Sequence, residues 1–341
     1  MNMPGYTNES SFNYKDLSNE NEGVSVDQKI SQAVLNGLTL KNKRLPSWLI
    51  FDNKGSEIFS KISNSACYLP AVCEFEIIRN NAEAISDMIS EKPFQLVELG
   101  SGDGEKTKLL IQKFINKNKS FHYYPIDISY GAISSLIHDM KLRFHSSELK
   151  VSGLIGDYFS GLKSLPRNLN YRKIILFLGI TLNNMPFGEA KLFFRRLRKH
   201  LGKKDLVLIG FDLVKSPVVL YKTYNDSRGL FNKLNLHLLD RINLKLKGNF
   251  NKKFFIHQSH YNPKNQAVES YLYSTRKQIV HFHSLDKKIQ FNEWEQLQTE
   301  RSYKYSIEKI KALTNKNEFK IVNELYDFNK HFVIVIWEVI K

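Results

Sequence analysis

Residues 96 to 110, LVELGSGDGEKTKLL, place a carboxylate, Glu98, ahead of Gly100, Gly102 and Gly104 at every second position. Glycines at that density let backbone N–H groups approach a ligand closely. The spacing narrows the choice of ligand. A P-loop requires glycine directly before the lysine, and Lys106 follows Glu105. A dinucleotide fingerprint requires GxGxxG, whereas this loop reads GxGxG. Two more carboxylates follow, Asp127 in PIDIS and Asp157 beside Tyr158 in GDYF. A carboxylate only accepts hydrogen bonds, which suits paired hydroxyls or an amine. Taken singly, each aspartate equally fits a turn or a helix cap.

The elements that must position these residues alternate. Strand-like runs FQLVEL, FHYYPIDI, KVSGLIGD, KIILFLGI and DLVLIGFDL are separated by helical segments such as EKTKLLIQKFIN, GAISSLIHDMKLRF and PFGEAKLFFRRLRKHL. This pattern predicts a parallel sheet with helices on both faces, a doubly wound α/β core. The glycine loop then ends the first strand, Asp127 the second and Asp157 the third. Upstream, Val24 to Leu38 has helical spacing, after a polar segment, residues 1–25, expected to be mobile. After Val214 the alternation stops. A long helical run, PVVLYKTYNDSRGLFNKLNLHLLDRIN, precedes β-like segments KKFFIHQSHYN, VESYLYSTRKQIVHFH and KKIQFN. The chain closes with a helix, SIEKIKALTNKN, and two strand-like runs close enough to pair as a hairpin, FKIVNELYD and HFVIVIWEVI.

Composition limits the function classes. At 341 residues and 42% apolar content, the chain can bury one large core or two ordinary ones. It has no apolar run of about 18 residues and no signal-like N-terminus, so we expect a cytoplasmic protein without a membrane partner. Two cysteines, Cys67 and Cys73, are too few for a disulfide scaffold or a metal knuckle. His257, His260, His281 and His283 read as exposed strand histidines, and no metal is expected. The net charge of +16 is carried by lysines spread along the chain, a pattern that fits a solvated surface better than a nucleic-acid footprint.

ExGxGxG ending a first strand resembles the S-adenosylmethionine loop of class I methyltransferases. The resemblance implies cofactor contacts from Gly100, Gly102 and Lys106, Asp127 on the ribose hydroxyls, Asp157 on the adenine amine and Tyr158 beside the ring. The fourth strand ends in Asn183-Asn184-Met185-Pro186, loosely similar to the N/D-P-P-Y loop of nucleic-acid amino-methyltransferases. That makes them the alternative class, although the stacking aromatic and the first proline are missing.

A closer resemblance runs from Leu45 nearly to the end. LPSWLIFDNKGSEIFSKIS, YLP, VELGSGDGEKT, FLGITLNN, GFDLVKSP, YNDSRGLFNKLN and TERSYKY resemble, in order, the blocks of the histidine Nα-methyltransferases of ergothioneine biosynthesis. The resemblance implies a Rossmann-like core, residues 74–214 and 305–341, and an α+β substrate-binding domain, residues 26–73 and 215–304. It also implies S-adenosylmethionine as cofactor and up to three methyl transfers to the α-amine of histidine, giving the betaine hercynine. A monomer acting on a small-molecule amino acid is expected. Tyr68 and Asn184 would orient the amine, joined by Tyr224 on the zwitterion, while Glu300 and Ser302 would hold the imidazole. Glu300 and Ser302 lie two apart on an extended segment, so they share a face. Phe51, Ile180, Asn183 and Ser270 depart from the family's tyrosine, serine, glycine and methionine, leaving another amino acid or a histidine derivative as alternative substrates.

Overall fold

The computed structural model describes residues 11–17, 25–89, 92–166 and 171–340. The first elements along the chain are β1 (Phe12–Asp16), α1 (Val26–Leu38), α2 (Asn53–Ser63) and α3 (Leu69–Met88). The alternating stretch gives β2 (Phe94–Leu99), α4 (Glu105–Asn116), β3 (Phe121–Asp127), α5 (Tyr130–Phe144), β4 (Lys150–Ile155), α6 (Tyr158–Ser164), β5 (Arg172–Phe177), α7 (Phe187–Arg198) and β6 (Leu206–Asp212). Then come α8 (Pro217–Tyr224), α9 (Leu230–Leu246), β7 (Phe255–Asn262), β8 (Ala267–Ser274), β9 (Gln278–Phe282), β10 (Lys287–Phe291) and β11 (Gln296–Tyr303). The chain ends with α10 (Ile307–Asn315), β12 (Phe319–Tyr326) and β13 (Phe332–Val339). It divides into two compact units, one of Met1–Asn21, Pro70–Leu213 and Tyr305–Lys341, the other of Glu22–Leu69 and Val214–Lys304.

The first unit holds an eight-stranded sheet in the order β1-β4-β3-β2-β5-β6-β13-β12. β2 and β6 are buried along their whole length, the signature of central strands covered on both faces. β3, β2, β5 and β6 run parallel, and β13 returns antiparallel to both β6 and β12, completing the expected hairpin. The chain lays β3 and β4 on one side of β2 and β5 on the other. This reversal leaves a crevice at the C-terminal ends of the strands, where open α/β sheets bind ligands.

The segment expected to be mobile contains a strand. Residues 12–16 pair in parallel with Val151–Ile155 of β4, and Tyr14 packs edge-on against Tyr130 at 5.7 Å. Its sequence, FNYKD, buries little by itself, so the strand forms through a partner distant in the chain. Gly153 makes the approach possible, because a Cβ there would meet Tyr14 Cβ at 3.2 Å and Ile133 at 2.5 Å. Apart from 11–17 and 25, that segment lies outside the described residues. α1 begins after it with a capping box in which Ser25 and Gln28 each cap the other's backbone N–H.

The second unit contains a three-stranded antiparallel sheet, β11-β8-β7, and a separate β9-β10 pair. α8 and α9 pack on β7 and β8, and α2 packs on α9.

Candidate active site

The glycine loop leaves β2 in left-handed conformations, with φ of 76° at Gly100, 53° at Gly102 and 66° at Gly104. Each glycine meets a different neighbour. A Cβ at Gly104 would strike Leu136 at 2.5 Å, so this glycine lets α4 pack on α5. A Cβ at Gly100 would meet the Tyr158 hydroxyl at 3.1 Å, whereas one at Gly102 would meet nothing within 4 Å. Gly102 therefore borders open space, and its N–H donates to Asp127 at 3.2 Å. Asp127 also accepts from Ser129 N–H at 2.9 Å, and burial raises its pKa against backbone bonds from Ser129, Gly102 and Ile128. An open backbone beside an acceptor-only carboxylate fits a hydroxyl-bearing cofactor. Tyr158 packs on Phe177 and Phe193, with its hydroxyl turned to Thr181. Asp157 caps α6 through Phe159 and Ser160 N–H at 3.0 and 3.2 Å, so the helix-cap reading of this residue is realised.

Glu98, although part of the loop motif, faces the interior and accepts from Thr107 at 2.6 Å and from Tyr123. Lys106 points to a second buried carboxylate. Its ammonium lies 2.5 Å from Glu74, which is 0% exposed and also accepts from Gly179 N–H at 2.9 Å. Gly210 in β6 leaves room for this carboxylate, since a Cβ there would lie 2.2 Å from Glu74 Oε1. Glu74 thus ties α3, the glycine-loop helix α4 and the end of β5 together. The one local mark of this role in the sequence is the glycine in the middle of β6.

After Gly179, Ile180 has a φ of 69°. A left-handed β-branched residue is costly, roughly 1 to 2 kcal/mol. The turn that follows, Thr181–Asn184, places Asn183 fully buried, and neither amide atom has a hydrogen-bond partner among the described residues. Asn184 beside it is half-buried. Cys73, Asp327 and His331 bring donor atoms within 4.8 Å of one another, but Asp327 caps the β12–β13 turn through Asn329 and Phe332 N–H.

In the second unit the structure brings four of the expected substrate residues onto neighbouring elements. Tyr68 and Tyr224 pack edge to face at 5.9 Å, and both contact Phe231. Phe51 joins the same aromatic row through Phe59. The Tyr224 hydroxyl lies 2.8 Å from Ser302 Oγ.

Glu300 reaches this face through a β-bulge. Leu297 pairs with Leu272, while Glu300 pairs with Ser270 and Ser302 with Val268, with a register shift between Gln298 and Glu300. Directly paired residues share a face, and Val268, Ser270 and Leu272 alternate onto one side. Leu297, Glu300 and Ser302 can share that side only because one extra residue is inserted. Regular alternation from Leu297 would have turned Glu300 outward. Thr299, at the bulge, is fixed by bonds to Asn235 of α9 and to the Ser270 carbonyl.

Glu300 is 6% exposed, and its Oε2 has no hydrogen-bond partner among the described residues. Burial pushes its pKa up to about 7, opposed by the charge of Lys304. The folded protein therefore holds this proton up to about pH 7, whereas the unfolded chain releases it near its ordinary value of 4.5. Stability from this group is complete below that value and is lost as pH rises through about 7. Glu300→Gln should accordingly be more stable than the parent at pH 8, by about 3 kcal/mol at 1.36 kcal/mol per unit, with the advantage gone at pH 4.5. Urea unfolding at the two pH values measures this. An equal difference at both would disconnect it from Glu300 ionisation.

Of the four histidines expected to be exposed, His260 and His283 are; His281 is half-buried, and so is His257. His257 lies on the buried face of β7, donating to or accepting from Ser259, which in turn bonds Ser270 at 2.8 Å. Burial pushes its pKa down to about 4, so it is neutral near pH 7. Its place in the strand, alternating with exposed Ile256, is a period-two pattern present in the sequence.

Comparison with known proteins gives these geometries a family. Residues 30–339 match the model of a family described as histidine-specific methyltransferase, SAM-dependent. The chain is 30% identical over 280 residues to a histidine N-alpha-methyltransferase of Mycobacterium tuberculosis, covering 82% of this chain and 85% of that protein. It is 29% identical to the protein of that name from Mycolicibacterium smegmatis, over 87% and 90% of the two chains. Similarity to ergothioneine biosynthesis protein 1 of Schizosaccharomyces pombe is 26% over 84% of this chain and 38% of that longer protein. With a parallel α/β sheet, a left-handed glycine loop beside Asp127 and a family match spanning nearly its whole length, the chain belongs to the S-adenosylmethionine-dependent, histidine-specific methyltransferases.

Proposed function

We propose that the protein methylates the α-amine of L-histidine, in up to three steps, to the trimethylated betaine. The observation that carries the substrate reading is the buried Glu300 carboxylate, with one oxygen left without a partner among the described residues and Ser302 beside it on the same face. A buried carboxylate has little use in a pocket for an apolar side chain. It suits an imidazole N–H, with the hydroxyl on the other ring nitrogen. The names of the mycobacterial relatives support the same acceptor atom.

In this reading the second unit and its flanking segments bind the amino acid, and the first unit binds the cofactor. Gly100, Gly102, Lys106, Asp127, Asp157 and Tyr158 would hold S-adenosylmethionine, which when bound supplies an electrophilic methyl group. The protein's own part is positional. Asn184 can accept from the ammonium and donate to the carboxylate with a single amide, and Tyr68 and Tyr224 complete the shell without adding charge. The α-amine loses its proton to water, and Asn184 and Tyr68 orient the lone pair, so that rate comes from proximity and orientation.

Mass spectrometry of the twenty amino acids incubated together with protein and S-adenosylmethionine tests the substrate. Histidine should gain up to three methyl groups, and NMR should place them on the α-nitrogen. Methyl groups on the ring would overturn the orientation proposed here. The cofactor half has a separate test. Asp127→Ala removes a charged acceptor and should weaken S-adenosylhomocysteine binding by about 1.5 to 3 kcal/mol in calorimetry. An unchanged affinity would remove Asp127 from the cofactor site.

A further inference from the structure

The first strand of the sheet ends beside the crevice. Leu17, directly after β1, is 0% exposed although β1 stands at the edge of the eight-stranded order. Its N–H donates to the Ile155 carbonyl at 2.8 Å, at the C-terminal end of β4. Its side chain closes on Gly156, where a Cβ would meet Leu17 Cβ at 3.2 Å. Gly153 within β4 admits Tyr14 at the same distance. Glycine weakens a strand and marks the close approach of another segment, here β1.

Gly156 connects this contact to the proposed cofactor site. Its N–H donates to the Asp127 backbone carbonyl at 2.9 Å, and the next two residues are Asp157 and Tyr158. The turn from β4 into α6 is thus fixed by Asp127 on one side and by Leu17 on the other. Tyr14 makes a second link. Its hydroxyl lies 3.1 Å from that of Tyr130, the first residue of α5, and Ser129, which caps α5, donates its N–H to the Asp127 carboxylate. β1 therefore touches both segments that carry the acidic residues of the site.

We propose that Leu17 is a positioning residue of the cofactor site: by packing on Gly156 it fixes the turn that carries Asp157 and Tyr158, so that docking of β1 and binding of S-adenosylmethionine are coupled. This rests on the assignment of Asp127, Asp157 and Tyr158 to the cofactor. The coupling follows from the place of β1 in the sheet. An edge strand can open without unfolding the strands behind it, and its opening frees Gly156 on the Leu17 side. A cofactor that binds the docked form more tightly must favour docking by the same factor, because linkage is reciprocal.

Hydrogen exchange and calorimetry on the full chain test it. In the parent, saturating S-adenosylhomocysteine should slow amide exchange in residues 12–17 roughly 5- to 20-fold more than in β12. β12 is the opposite edge of the same sheet and controls for global stabilisation by the ligand. Leu17→Ala should raise the dissociation constant for S-adenosylhomocysteine roughly 5- to 20-fold at a temperature where the variant is folded. Leu17→Met, which keeps the volume, should restore most of the affinity. A merely structural strand would lower thermal stability in Leu17→Ala and move neither readout. Equal protection at the two edges overturns the proposal, and so does parent affinity in Leu17→Ala. If Leu17→Ala does not fold, exchange in the parent decides. Asp127→Ala separates the two readings, because parent affinity there overturns the assignment of the cofactor residues while Leu17→Ala still decides for β1.

Discussion

Glu300→Ala should reduce kcat/KM for histidine by one to two orders of magnitude more than it reduces that for tryptophan. Removing the carboxylate leaves the imidazole N–H without an acceptor in a dry pocket, at a cost of about 1 to 3 kcal/mol, and 1.4 kcal/mol is tenfold. Tryptophan owes nothing to that carboxylate and gains room from its loss. Ser270, directly opposite Glu300 across β8 and β11, widens the same region relative to a methionine, so the parent should also turn over a ring-substituted histidine. The pH dependence supplies a second readout. Glu300 accepts as a carboxylate only above about pH 7, so kcat/KM for histidine should rise with pH through that value. In Glu300→Gln this limb should disappear, leaving only the titrations of the substrate's own ring and amine. Proportional losses on histidine, ring-substituted histidine and tryptophan would show that Glu300 supports the fold, and would move the search for the substrate outside the histidine class.

Glu74→Ala should be among the most destabilising single substitutions in the first unit, costing about 3 to 5 kcal/mol. The figure follows from removing the fully buried partner of a largely buried ion pair, which leaves Lys106, 21% exposed, without its counter-charge. It also strips the acceptor from Gly179 N–H. Because the same carboxylate joins α4 to the end of β5, the cofactor loop should loosen as well, and S-adenosylhomocysteine affinity should fall at least tenfold at a temperature where the variant is still folded. Glu74→Gln, which keeps the shape and one acceptor, should recover part of both losses. Denaturation and calorimetry on the two variants measure this. Loss of less than 1 kcal/mol in the alanine variant would mean that the ion pair only offsets its own desolvation.

The sequence by itself determined the features whose signal is local. The alternation of apolar strands with amphipathic helices specified the parallel core, since burial on both faces demands continuous apolar runs such as FQLVEL and LVLIGFD. Glycine at 100, 102 and 104 marked a loop whose backbone approaches a ligand, and its left-handed φ angles are a finding of the structure. The adjacency of FKIVNELYD and HFVIVIWEVI specified the hairpin, and the order of motif blocks specified the family.

Tertiary structure decided what depends on partners far along the chain. β1 exists because β4 offers an edge to a segment too polar to announce a strand. His257 is half-buried and neutral because α8 and α9 cover the inner face of β7. Glu74 became a structural anchor only where Gly210 opened space for it. The face of Glu300 could not be counted from Leu297, because the bulge at Thr299 reverses the parity, and a bulge is a property of strand pairing.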